Sequence, residues 1–456
     1  MRVLLINPWI YDFAAFDMWA FPLGLLSIAA ELRRDGWDVS FIDCVSRFHP
    51  SVRDIRPKDK PYHTGKYPAA EIPKPEFLSS VMRRFQRFGI PEEAFRNDLE
   101  NAGRPDAVMI TSRMTYWYPG VKRCIEIIRD VYPETPVILG GVYAGLQPDH
   151  ALKTCRPDIV FIGEGEKDII PLLENPKALR GAGEIVRAKN IPQNLDALPF
   201  PAWDLQYNTG SAAVETSRGC PYQCTYCASS LLVPGFRKKS PERAAEEIEF
   251  AAKELGAEDF AFYDDALLFQ PEKHFLPLID IVLKKNLNIR FHTPNSIFAS
   301  KISEQVAEKM KEAGFRTIRL SLETTNPERL KEMNRKITPS HFVEAMKNLR
   351  KAGFTHKDIG AYLMTGLPGQ KPEEVKQAID FVIDQGATPR LAEYSPIPVT
   401  PEWDKAVENA DFDLEGEPLF QNNTVFHLFS GFFPDDVMRE LKDYNREKAG
   451  ELNGPG

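Results

Sequence analysis

The alternation of apolar and polar positions divides the chain into two successive runs of strand and helix patterns. In the first run, the apolar segments VLLIN (3–7), VSFID (39–43), AVMITS (107–112), PVILGG (136–141) and IVFIGEG (159–165) are separated by stretches of helical period. One of these, LGLLSIAAELRRDG (23–36), ends at Gly36, a residue suited to a helix C-cap. Strands that are apolar on both faces belong in a parallel sheet covered by helices on either side. The pattern therefore predicts a doubly wound, Rossmann- or flavodoxin-like α/β domain over residues 1–175. Ligands of such sheets lie beyond the carboxyl ends of the strands. Those ends here carry Asn7, Thr111, Ser112, Gly140, Gly141, Gly163 and Gly165.

An insertion of about residues 46–100 interrupts this domain. It has six prolines between 50 and 75, and a stretch with helical period at 77–89. Two readings stand: a lid or partner surface, and a solvated excursion. The aromatics of TYWYPG (115–120) line a pocket or fill core beneath it. A linker over 176–205, ending in the proline-rich NLDALPFPAWDL, separates the second run. There strands are expected near 213–217, 259–263, 288–293, 317–322, 359–364 and 389–394, and four intervening helices stop at Gly256, Gly314, Gly353 and Gly386. Ser240-Pro241 and Thr338-Pro339 mark clean helix starts. Six strand-helix units are too few for a closed eightfold barrel, so residues 206–400 read as an open, partial (β/α)6 barrel. Residues 401–456, with a terminal amphipathic helix at 435–450, read as a cap on its open edge.

Composition narrows the partners. A net charge of −8 without a long basic run argues against nucleic acid and anionic membrane. With 43% hydrophobic residues, no 18-residue apolar run and no charged leader before the first strand, a globular cytoplasmic protein is expected. Of six cysteines, Cys44, Cys124 and Cys155 are scattered and expected to be buried, reduced thiols.

The other three carry the chemistry. In TSRGCPYQCTYCASS (216–230), Cys220, Cys224 and Cys227 follow a Cys-x-x-x-Cys-x-x-Cys spacing, which lets one loop present three thiolates to three irons of a cluster. A structural zinc knuckle, which wants four ligands, and a disulfide framework are the competing readings. The spacing, with the aromatic Tyr226 before the third cysteine, closely resembles the signature of the radical S-adenosylmethionine (SAM) enzymes. The resemblance implies a 4Fe–4S cluster whose open iron chelates SAM, reductive cleavage of SAM to a 5′-deoxyadenosyl radical, and a reductant such as flavodoxin or ferredoxin. It also implies the partial barrel and SAM contacts at Tyr226, Asp264, Asp265, Asn295, Ser321, Glu323 and Gly366. His292, at the third strand end, is the weak catalytic candidate, as proton donor or as a hydrogen-bonded structural residue.

The first domain resembles the cobalamin-binding domain found ahead of many radical SAM domains. The resemblance points to Thr111, Ser112, Gly140, Gly141, Gly163 and Gly165 as its contacts. It departs in one respect: residues 7–24 contain no histidine, so the Asp-x-His-x-x-Gly cobalt ligand of mutases and methionine synthase is missing. A degenerate domain that merely packs on the catalytic one is the alternative. The leading expectation is a cobalamin-dependent radical SAM enzyme that methylates an unactivated carbon of a small-molecule substrate. The alternatives are radical cyclisation, ring contraction or rearrangement without methyl transfer, and a non-catalytic iron–sulfur electron carrier or scaffold.

Overall fold

Every apolar run of the first stretch forms a strand: β1 (Arg2–Asn7), β2 (Asp38–Asp43), β3 (Ala107–Ile110), β4 (Val137–Leu139) and β5 (Ile159–Ile162). The computed structural model, which describes residues 1–452, adds a sixth, β6 (Glu184–Arg187). The strands run parallel in the order β6-β5-β4-β3-β1-β2, so the winding reverses between β1 and β3. β6 falls in the stretch expected to be linker. Its residues are half-buried or exposed and it pairs only with β5, so it lacks the continuous apolar run that marks the inner strands. Val3, Leu5, Met109, Ile138 and Ile159 close one core with Leu25, Ala29 and Leu32 of the helix Leu23–Arg34.

The insertion folds as a layer of its own. Short strands at Ile10–Asp12, Ala69–Glu71 and Gln86–Phe88 form an antiparallel sheet with Gln86–Phe88 at its centre. The helix expected over 77–89 does not form; only a single 3-10 turn, Glu76–Leu78, precedes the strand. Pairing on both sides satisfies the extended backbone, and Phe88 joins Ile10, Val45 and Tyr67 in a small core, so tertiary contacts override the local period. Nor is the insertion a solvated excursion. The Arg47 side chain is fully buried, ion-paired to Asp17 at 2.9 Å and Asp59 at 2.6 Å, and donates to the His63 carbonyl.

The second stretch supplies β7 (Ser211–Val214), β8 (Asp259–Phe262), β9 (Arg290–His292), β10 (Phe315–Glu323), β11 (Ile359–Thr365) and β12 (Thr388–Glu393). They follow one another in chain order along an open path, parallel from β8 to β12. Phe262, Phe291 and Phe315 stack across three neighbouring strands, with Phe275 of the helix Phe275–Lys284 against them. The four predicted helix-ending glycines all have positive φ, and Ser240 and Thr338 accept from Arg243 and His341 backbone N–H groups as N-caps. The terminal helix Asp435–Glu451 packs on Pro372–Asp384 and along edge strand β12, held by Lys442–Glu393 at 2.7 Å and Tyr444–Asp380 at 2.7 Å. The chain thus divides into two compact units, Met1–Ser211 with Gly416–Leu419, and Ala212–Glu415 with the residues from Phe420 onward. No helix among the described residues is long and apolar enough to cross a membrane.

Candidate functional site

In the second unit, the cysteine loop leaves β7 through Ser217–Arg218, which pairs with Arg237–Lys238. It is braced from outside. The Thr225 N–H donates to the Met333 carbonyl at 3.3 Å, its hydroxyl donates to Glu402 Oε1 at 2.9 Å, and Asn334 Nδ2 donates to the Gln223 carbonyl at 2.8 Å. Tyr222 stacks on Phe298 with ring centroids 4.2 Å apart. Burial pushes the Cys220 thiol up to about 11 and raises Cys227 as well; the Ser229 hydroxyl, 3.3 Å from Cys227 Sγ, opposes the rise. Such thiols ionise when a metal takes the proton's place. Among the described residues no three His, Cys, Asp or Glu side chains stand at metal-ligand spacing. The three cysteines nevertheless share one eight-residue loop and feel one another's charge.

Arg335, which sequence reasoning missed, organises the neighbouring side chains. Its guanidinium lies 3.5 Å from Cys224 Sγ, 3.5 Å from Glu323 and 4.7 Å over the Phe298 ring, and it donates to the Ser321 carbonyl. Glu323 sits at the end of β10 with φ +70°, a left-handed conformation that costs a non-glycine residue about 1–3 kcal/mol and concentrates at functional sites. Burial raises its pKa, opposed by Arg335 and by the Tyr226 hydroxyl. Tyr226, Ser321, Glu323 and Cys224 are thereby gathered about one guanidinium. Nothing local betrays Arg335: it stands past the short helix Pro327–Glu332 with no motif around it.

The two aspartates after β8 differ. Asp264 is fully buried and accepts from the Thr216 N–H at 3.1 Å and from the Thr216 and Ser217 hydroxyls at 2.6 and 2.5 Å, so both its oxygens are engaged inside the protein. That corrects its place among the SAM contacts: it ties two strand ends together. Asp265 instead lies by the loop, where it feels Cys220 and Cys227; burial pushes it up to about 6 and a hydrogen bond from Ser229 opposes this. His292 is also corrected. Its ring is fully buried and bonds Asp259, the first residue of β8, at 3.0 Å, which makes it a structural partner rather than a group presented at the strand ends. Asn295 is exposed and gives its amide to the Tyr263 carbonyl at 2.8 Å. At Gly366 (φ +86°) a Cβ would strike the buried His427 ring at 2.1 Å, so only glycine lets the helix Asn423–Ser430 seat that ring there. His427 lies in the cap segment, with no neighbouring motif to mark it.

In the first unit, Thr111, Ser112, Gly140 and Gly141 converge where β3 and β4 end. The Ser112 hydroxyl donates to the Gly140 carbonyl at 2.6 Å and accepts from the Ala144 N–H at 3.3 Å. Gly141 has φ +92° and a Cβ there would come within 2.2 Å of the Ser112 carbonyl, whereas Gly140 has nothing closer than 3.6 Å. Gly163 and Gly165 stand apart at the end of β5, and a Cβ on Gly165 would meet Ile169 at 2.9 Å and Ile28 at 3.1 Å, so this glycine serves helix packing. Asn7 gives its amide to Asp43 at 2.7 Å. The strand ends offer small residues and backbone, which fit a flat macrocycle and its tail, and no imidazole follows β1 to ligate a metal.

The chain resembles known proteins in both units. Residues 214–382 match the radical SAM superfamily, and residues 88–170 match the B12 binding domain. An uncharacterized methyltransferase of Pyrococcus horikoshii is 29% identical over 334 residues, covering 67% of this chain and 70% of that protein. The cytidylyl-2-hydroxyethylphosphonate methyltransferase of Streptomyces wedmorensis is 22% identical over 441 residues, covering 84% and 77%. A solved radical SAM methyltransferase, TsrM from Kitasatospora setae with tryptophan substrate and a SAM analog bound, superimposes with a TM-score of 0.65 at 17% identity, covering 89% of this chain and 76% of that one. At that identity the likeness is one of fold.

Proposed function

Because the chain belongs to the radical SAM enzymes that carry a B12-binding domain, we propose that it methylates an unactivated carbon of a small-molecule substrate, with methylcobalamin as methyl donor. The observation that carries this reading is the joining, in one chain, of a three-cysteine loop braced beside Glu323 and Arg335 to a strand-end surface at Thr111, Ser112, Gly140 and Gly141. When bound, a 4Fe–4S cluster with SAM supplies radical chemistry and cobalamin supplies the methyl group.

The protein's own part is positioning and charge. Cys220, Cys224 and Cys227 would hold the cluster with three thiolates and leave one iron for the amino and carboxylate groups of SAM. Asp265, ionised above about pH 6, offers a negative charge beside the loop for the SAM ammonium. Arg335 is fixed by Glu323 and Phe298, and its buried Nε has no partner, which leaves a donor for an anionic group at the cluster's edge. Glu323 and Ser321 suit ribose hydroxyls, with Tyr226, Asn295 and Gly366 around the nucleoside. Thr111, Ser112, Gly140, Gly141 and the more distant Gly163 would line the corrin and its tail, while Gly165 serves the packing of Ile28 and Ile169. The reaction belongs in the cytoplasm with a flavodoxin- or ferredoxin-type reductant. Once the methyl acceptor is identified, each turnover should give one 5′-deoxyadenosine and one S-adenosylhomocysteine, both dependent on cobalamin. Formation of 5′-deoxyadenosine with no cobalamin requirement and no S-adenosylhomocysteine would overturn methyl transfer.

A further inference from the structure

Alternation along β10 puts Arg319 and Ser321 on one face and the fully buried Ile318 and Leu320 on the other, and a bulge between Ser321 and Glu323 breaks the pattern at the strand end. Arg319 lies on the same strand as Glu323, four residues and about 13 Å nearer the strand's amino end. Across β11 it meets a second arginine. Arg319 is in register with Gly360, and Arg390 of β12 with Tyr362 of β11. A Cβ on Gly360 would fall 3.0 Å from Arg319 Nη1 and 3.3 Å from Arg390 Cγ, so both side chains lie over the same bare stretch of backbone.

Neither arginine has an acidic partner among the described residues, whereas Arg290 holds Asp259 and Glu258, and Arg335 holds Glu323. Arg319 is half-buried, and beyond its own strand's Ile318 carbonyl at 3.2 Å its neighbours are the Tyr362 hydroxyl and the like charge of Arg390. Asp259, the first residue of β8, is already bonded to Arg290 and His292. Burial and the Arg390 charge both weaken the hold of Arg319 on its proton. Two guanidinium groups brought together without a counterion, one of them out of bulk water, are destabilising unless an anion joins them. Their planar donor forks match the oxygens of an oxyanion.

We propose that Arg319 and Arg390 form a receptor for a doubly charged oxyanion, a phosphoryl-type group, on the substrate. This rests on the reading above that the chain is a radical SAM enzyme acting on a small-molecule substrate. Two uncompensated positive charges favour a dianion over a single carboxylate, and the spacing along β10 sets the anionic group about 13 Å from the residues around the cysteine loop.

The probe is inorganic phosphate, added to the anaerobically purified full chain, with acetate at matched ionic strength as the control. Phosphate at about ten times its Kd should raise Tm by about 3 °C. Acetate should do less, and Arg390→Gln and Arg319→Gln should each remove most of the shift. Arg390 is exposed, so its variant keeps the test alive if Arg319→Gln fails to fold. No phosphate shift in the wild type, an equal or larger acetate shift, or a shift that survives in Arg390→Gln would overturn the proposal. Formation of 5′-deoxyadenosine by the reduced wild type is read in parallel: cleavage without a phosphate shift defeats this site alone, whereas a shift that needs both arginines supports it whatever the cleavage shows.

Discussion

At the carboxyl ends of β1 and β2, Asn7 Nδ2 donates to Asp43 at 2.7 Å; at the corresponding ends of the second unit, Thr216 and Ser217 donate to Asp264. Both sheets thus clamp their first two strands with a fully buried carboxylate, and burial pushes both up to about 6. Beyond the clamp they diverge. The barrel-like unit surrounds its strand ends with ionisable side chains: three thiols, Asp265, Glu323 and Arg335. The first unit has hydroxyls and glycines at Thr111, Ser112, Gly140 and Gly141. A cofactor bound through iron and charged groups calls for the former, and one bound through a broad face and backbone calls for the latter.

The comparison breaks first at the cysteines. Alanine at Cys220, Cys224 or Cys227 should abolish the cluster, because a three-thiolate site has no spare ligand, while alanine at the buried Cys44, Cys124 or Cys155 should leave it intact. Iron and sulfide analysis of the six variants decides it; full cluster content in any one of the three loop variants contradicts the assignment.

The shared clamp predicts a shared pH response. Asp43 and Asp264 move from 3.8 to about 6, so each folded unit holds a proton that the unfolded chain has released. The stabilisation from that proton is complete below about pH 4 and is lost as pH rises through 6, by about 3 kcal/mol per site. Urea titrations at pH 4.5 and 7.5 should show about 2 kcal/mol of that fall per site in the wild type and a smaller fall in Asp43→Asn and Asp264→Asn; an undiminished fall in both variants would refute it.

The charged character of the second site is sharpened by Asp265→Ala and Glu323→Ala. Each should weaken SAM binding by about 1.5–3 kcal/mol, roughly ten- to a hundredfold, with the cluster spectrum unchanged. Equilibrium dialysis with labelled SAM measures this, and unchanged affinity in both variants would misplace the nucleoside. The smallest effect concerns the backbone character of the first site. Gly141→Ala should cost about 1–3 kcal/mol of stability, through its positive φ and its contact with Ser112, whereas Gly140→Ala should be near neutral. Equal unfolding midpoints for the two variants would contradict the geometry.

Much of this was legible along the chain. Eleven of the twelve main strands lie where apolar runs predict them, because inner strands of parallel sheets are apolar on both faces. The cysteine loop announces itself by spacing. What stayed hidden depends on contacts distant in sequence. Gln86–Phe88 reads as part of a helix until two strands flank it. The twin aspartates 264 and 265 are indistinguishable until Thr216 and Ser217 claim one of them. His292 looks available until Asp259 is seen on the neighbouring strand. Arg335 and His427 carry no motif, and their places follow only from the packing of Phe298 and Gly366.

The central claim is that one chain holds two different cofactors by two different kinds of strand end. Its most direct test is the cofactor content of anaerobically purified, reconstituted and desalted protein, wild type beside Cys224→Ala. The account predicts about four iron, four sulfide and one corrin per wild-type chain, and one corrin with no cluster in the variant. Loss of corrin from the wild type on desalting, or a cluster that survives in Cys224→Ala, would contradict it.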